Sequence, residues 1–222
     1  MNETPDGSNN PRLRRNAHMP GSSVPAIRHR LVTTAGLSDQ KLASIGAIAV
    51  LASHAEHFAE RSIWALDGVE VKGVRPRTDA RPIGELIRML RQHVPTVKKP
   101  GLASLIQKWC DAAELCFSCR NSIVHGTTAY MDDEWTIFGR NNPTEGVKRK
   151  KDPSDFRASP HTLAMLEEAF GYLLNVIHFI WTAATALVPI GDTSELMRLL
   201  GRAWSTGAEL DDLAAAVNHE KY

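Results

Sequence analysis

The sequence predicts an all-α bundle of four main helices with a small β-hairpin insertion and a short C-terminal helical appendage. Three observations carry that prediction. Apolar residues recur at three- and four-residue spacing over long stretches. Capping residues and glycine stops bracket those stretches, and one short segment around Asp132-Asp133 reads instead as two strands and a turn. Of the 222 residues, 43% are apolar and 23% charged, ordinary globular usage that excludes collagen-like repeats, wholesale disorder and disulfide scaffolds.

Residues 1–36 are rich in Gly, Pro, Ser and Asn with scattered Arg, too poor in large apolar side chains to offset the entropy of ordering, and are expected to form a flexible basic tail. The bundle is expected over 37–190 and the helical appendage over 191–222. A first long helix starts at Ser38, an N-cap, and carries Leu42, Ile45, Ala49, Ala52, Ala59, Ile63 and Leu66 to a stop at Gly68. After a loop with Gly73, Pro76 and Pro82, a short helix spans Ile83 to Val94 and ends at Pro95. A third runs from about Leu102 toward Val124, with Gly126 beyond. Thr127 to Met131 and Glu134 to Phe138 then flank Asp132-Asp133 as a hairpin, and residues 140–158 read as a polar loop. Ser159-Pro160 starts a fourth long helix to about Leu187. Two pieces, about 193–204 and 208–217, finish the chain.

The fourth helix holds no Asp, Glu, Lys or Arg from Ala169 to Gly191, long enough to span a bilayer. Leu163, Leu166, Phe170, Leu173, Ile177 and Ile180 fill one side, while Gly171, Asn175, His178 and Thr182 line another, the pattern of a bundle helix. Acidic Glu167, Glu168 and Asp192 flank it where basic anchors would stand, so no membrane partner is expected. The N-terminal stretch lacks the apolar segment of a secretion signal, and with three cysteines (Cys110, Cys116, Cys119) a reducing cytoplasm is the expected compartment.

The net charge of +1 gives no whole-molecule field toward a polyanion, so any such binding depends on local patches. Residues 69–100 carry a net +5, including Arg88 and Arg91 three apart on one helix face, and Lys148-Arg149-Lys150-Lys151 form a second basic run. Residues 192–222 carry a net −3, which argues against reading the last two helical pieces as a DNA-binding helix-turn-helix. No glycine-rich phosphate loop, catalytic Ser-His-Asp order or metal cluster stands out, so no metal and no cofactor are expected. Cys116 and Cys119 inside a helix read as core cysteines. His54, His57, His161 and His178 read as surface or packing residues without a ligand set.

One residue breaks the apolar arc of the third helix. Arg120 falls among Trp109, Ala113, Cys116, Phe117 and Ile123, where a guanidinium that cannot lose its charge needs a carboxylate, a phosphate or solvent. The first helix has one acidic intruder on its apolar stripe, Glu56. A Glu56 to Arg120 contact is the simplest solution, serving either as a register-setting ion pair or as part of a site. Five residues on stands His125, about 140° from Arg120 on a regular helix. The two converge on one substrate only if the helix breaks or two copies meet.

Arg120-Asn121-x-x-x-His125 resembles the RxxxxH motif, with a polar residue after the Arg, of HEPN domains (higher eukaryote and prokaryote nucleotide-binding). The resemblance covers the motif and, loosely, residues 38–187. It implies a HEPN-like helical bundle acting as a homodimer, many relatives being metal-independent ribonucleases of toxin, antiphage and RNA-processing systems. It further implies that Arg120 stabilises phosphorane charge, His125 acts as general acid or base and Asn121 orients one of them. RNA is then the expected partner, guided by Arg88, Arg91 and Lys148 to Lys151, with an antitoxin or regulatory protein as a further candidate. The alternative is a catalytically inactive HEPN-like module that binds a partner or a nucleotide.

Overall fold

The computed structural model describes residues 24–70, 77–130, 134–139, 155–186 and 190–219. These form helices α1 (Val24–Ala35), α2 (Asp39–Asp67), α3 (Ile83–His93, extended by a 3-10 turn at Val94–Thr96) and α4 (Pro100–His125). Strands β1 (Thr127–Tyr130), β2 (Thr136–Gly139) and β3 (Phe156–Ala158) follow, then α5 (Pro160–Ala184) and α6 (Ser194–His219). The predominantly helical expectation holds.

The helix limits follow local chemistry. The Ser38 hydroxyl accepts from the Lys41 N–H at the start of α2. Gly68 ends the helix in the left-handed region at φ 68°, with Val69 N–H returning to the Trp64 carbonyl. Ser159 and Thr162 cap α5 reciprocally, side chain to backbone in both directions, and Pro160 occupies the first turn.

Helix α4 lies in the middle of the bundle, packed by α2, α3, α5 and α6. Its Trp109 is fully buried and donates its indole N–H to the Leu173 carbonyl at 2.9 Å, satisfying the one polar atom that burial would otherwise strand. Phe117 meets Phe170 edge-on with centroids 5.0 Å apart. On α2, Ile48, Ala52, Ala55, Ala59 and Ile63 make a buried stripe on a helix that packs on α5, the three alanines permitting a close approach.

Three local expectations are corrected. Part of the region read as a flexible tail is helical, since Val24–Ala35 form α1, whereas residues 1–23 lie outside the described residues. Val24, Ile27, Leu31 and Val32 supply the periodicity that the Gly- and Pro-rich flank obscured, and Ala35 and Leu37 anchor the element in the core. The hairpin is a three-stranded antiparallel sheet, order β1-β2-β3, because residues within the expected polar loop return to pair with β2, Arg157 opposite Ile137. A three-residue strand is too short to display alternation. The Asp132-Asp133 turn lies outside the described residues.

The largest correction concerns the C-terminus, which is one 26-residue helix and a full member of the core rather than two pieces of an appendage. Leu200, Ala203, Leu210 and Ala214 run as a buried stripe straight through the expected break. Gly207 is there for closeness of packing. A Cβ at that position would lie 2.7 Å from Leu115 Cβ and 3.4 Å from Cys116 Sγ on α4. Gly207→Ala is therefore expected to destabilise the whole domain by about 1–3 kcal/mol in a single cooperative urea transition. An unchanged midpoint, or a separate early transition, would mean that α6 is an appendage after all.

Candidate active site

The last turns of α4 carry the motif. The helix runs without a break through His125, and the chain turns immediately after it because Gly126 allows a passage no other residue fits. A Cβ there would collide with the Ser122 carbonyl oxygen and sit 3.0–3.1 Å from Phe138 of β2. The Gly126 N–H closes the last turn on Ser122 at 2.8 Å. Ser122 itself is buried, its hydroxyl donating to the Ser118 carbonyl.

Arg120 is held at the rim of the core with 20% of its side chain exposed. Its Nη1 donates to Asn121 Oδ1 at 3.1 Å, and its Nη2 lies 3.9 Å from Glu56 Oε1. The Nε is buried without a hydrogen-bond partner among the described residues. A separation of 3.9 Å is too long for a hydrogen bond, so Glu56 meets this guanidinium through its charge rather than by a fork-to-fork grip. Burial lifts the Glu56 carboxyl above its usual range, and the Arg120 charge only partly opposes that.

The structure thus brings Arg120, Asn121 and Glu56 together and leaves His125 apart. His125 is exposed on the final turn, about 140° around the helix and ~7.5 Å along it from Arg120. With α4 unbroken between them, the two do not converge within one chain. Arg88 is exposed. Arg91, by contrast, is committed, forking onto Glu114 at 2.9 and 3.1 Å and reaching Asp111 at 3.0 Å, so a phosphate would have to displace two carboxylates. Lys148, Arg149, Lys150 and Lys151 lie outside the described residues.

No family model, curated protein or solved structure matches the chain. The chemistry of this end of the bundle therefore rests on its own residues and their geometry.

The cysteines are unsuited to nucleophilic catalysis. Cys110, Cys116 and Cys119 are buried free thiols, and burial pushes Cys110 and Cys119 up to about 12 and Cys116 higher still, so no thiolate is at hand as nucleophile or ligand. Among the described residues no group of His, Cys, Asp and Glu could hold a metal ion. A shallow groove of about 400 Å³ between α4 and α6 is lined by Asp111, Glu114, Asp211 and Asp212 around Trp204, a surface that repels phosphate. What the sequence concealed is a surface array on α2 and α5, built by two pairs at the same three-residue spacing, Arg61 with Trp64 and His178 with Trp181. That spacing is visible in the sequence; their meeting across two helices is not.

The raised Glu56 carboxyl has a defined consequence for stability. Below the ordinary carboxyl value of 4.5 it is protonated in folded and unfolded chains alike; as pH rises above 4.5, the unfolded chain ionises first and the folded state loses stability. Glu56→Gln removes that loss. Its stability relative to the parent chain is expected to increase from pH 4 to pH 7 in urea denaturation series, and a difference independent of pH would show that burial does not dominate at Glu56.

Proposed function

We propose that this chain is a metal-independent endoribonuclease of the HEPN type, working as a homodimer in which Arg120 of one copy and His125 of the other serve one scissile phosphate. The observation that carries the reading is the state of Arg120. Its guanidinium is aimed by Asn121, only distantly met by Glu56 and, among the described residues, without a hydrogen-bond acceptor at Nε, which leaves it donors to offer a phosphate.

The reaction needs few parts. The 2′-hydroxyl of RNA attacks the adjacent phosphorus, forming the 2′-O–P bond and breaking the bond to the 5′-oxygen, and leaves a 2′,3′-cyclic phosphate and a 5′-hydroxyl end. Arg120 stabilises the charge on the phosphorane, while His125 takes the 2′ proton or gives one to the departing 5′-oxygen, with water as the partner in the other proton transfer. Asn121 holds Arg120 in position through its side-chain oxygen, and Glu56 biases it from across the helix pair.

A dimer through this end of the bundle has apolar surface to bury. Val124, next to His125, is 48% exposed. Helix α1, which packs on β1 beyond the end of α4, exposes Val24, Ile27, Leu31 and Val32. Side chains of that kind left in water favour association. A toxin or antiphage role, with an antitoxin covering the same surface, is consistent with that exposure.

The second reading is a non-catalytic interaction module in which Glu56 and Arg120 form a register-setting pair. The observation in its favour is that the two already face each other inside one chain.

Cleavage of mixed-sequence RNA in EDTA decides between them. The parent chain is expected to leave 2′,3′-cyclic ends, and Arg120→Ala and His125→Ala should each lose about 100-fold or more while remaining folded. An equimolar mixture of the two variants should regain part of the activity, because half of each heterodimer's paired sites would be intact. Inactivity of a folded dimer of the parent chain would transfer the assignment to the interaction module.

A further inference from the structure

Away from Arg120, on the opposite flank of α2, a set of ring and guanidinium side chains forms a continuous array that the reaction does not use. Phe58 of α2 meets His178 of α5 edge-on at 4.8 Å and Trp181 at 5.4 Å, and His178 lies 5.5 Å from Trp181. His57 adjoins Phe58 at 5.4 Å. The Arg61 guanidinium sits between two indoles, 5.7 Å from the Trp64 ring and 5.6 Å from the Trp181 ring. Among the described residues no carboxylate pairs with Arg61. Trp64 is braced from behind, its indole N–H donating to Thr78 Oγ1 at 2.7 Å. His57 and His178 are exposed; Phe58, Arg61, Trp64 and Trp181 are half-buried.

The components select a chemical class of ligand. Indoles and imidazoles fixed by packing lose little entropy when a flat ring lies against them, and a guanidinium without a counter-ion beside them attracts an anion. A ligand that is both flat-ringed and anionic satisfies both, and a single-stranded nucleic acid offers that combination at every nucleotide. Duplexes hide the faces of their bases and offer no such match.

We infer that the array formed by His57, Phe58, Arg61, Trp64, His178 and Trp181 on α2 and α5 is a base-stacking subsite for single-stranded RNA. The inference rests on the nuclease reading for its function, and its position fits that reading. Glu56 and Phe58 lie two residues apart on α2 and face α4 and α5 respectively, with exposed His57 on the outer surface between them. A strand crossing that outer surface passes from the array to Arg120 in on the order of 10–15 Å, given a helix about 10 Å wide and a rise of ~1.5 Å per residue. The subsite therefore holds nucleotides adjacent to the scissile one.

The test uses the intact chain and a 2′-O-methyl oligouridylate of about 12 nucleotides, a length that covers a stacking site and cannot be cut by 2′-hydroxyl attack. Tryptophan fluorescence is expected to fall on titration. Arg61→Ala and His178→Ala should each weaken binding about fivefold or more with unchanged thermal midpoints, and Arg61→Ala should also reduce the salt slope of log affinity by about 0.7. Binding equal to the parent in both variants, equal affinity for duplex of the same length, or equal quenching by inorganic polyphosphate would each overturn the subsite. A fall in thermal midpoint with unaltered binding would assign Arg61 to bracing the helix pair and overturn it equally. Failure of the nuclease reading shows differently, as stacking that persists while unmodified RNA is left uncut.

Discussion

A guanidinium cannot give up its charge, and Arg120 stands near the end of the one helix against which α2, α3, α5 and α6 all pack. Much else at this end of the bundle follows. The side chain must leave the core at the rim, where 20% of it remains in contact with solvent, and the nearest helix must supply an anion, which α2 does at Glu56. Neither accommodation is complete. The carboxylate stays 3.9 Å away and is itself held above its ordinary range by burial, so the two charges moderate each other without forming a closed pair. A buried pair optimised for stability would use bidentate geometry to repay desolvation, and at 3.9 Å this pair does not have it.

How much of this could be read in advance depends on the kind of signal. Ser38, Gly68 and Ser159-Pro160 act on their own neighbours, so the limits of α2 and the start of α5 were legible one residue at a time. Arg120 and Glu56 were legible because each interrupts an apolar stripe, and an interruption demands a partner. Signals that need a third dimension were not. The closeness of Gly207 to Leu115 shows only once α6 is packed on α4, and β3 has no pattern of its own, only a partner strand. Arg91 looked available for phosphate because Asp111 and Glu114, which neutralise it, lie twenty and more residues away on α4.

The distribution of charge over the surface separates two faces of the molecule. Between α4 and α6, carboxylates from both helices surround Trp204 and oppose any polyanion. On the far side, α2 presents Arg61 among rings with no carboxylate partner among the described residues. The near-neutral total conceals this division, since nearly equal numbers of opposite charges say nothing about which helix faces carry them.

The placement of His125 is decided by packing rather than by the helix that bears it. An α-helix can continue past histidine without penalty, and α4 ends there because the next residue must pass beneath Phe138, with no room for a Cβ. Phe138 is buried, and so are its register partner Phe156 on β3 and Ile123 in the last turn of α4. The small sheet thus clamps the end of α4 and sets where the imidazole stands. Arg120 is fixed by a different set of contacts, from Asn121 and α2. The two groups have independent supports and stand about 140° apart around an unbroken helix, so within one chain they point away from each other. On the proposed reading their cooperation in one reaction calls for a second chain, and Val124 beside His125 and the apolar residues of α1 are exposed at this end of the bundle.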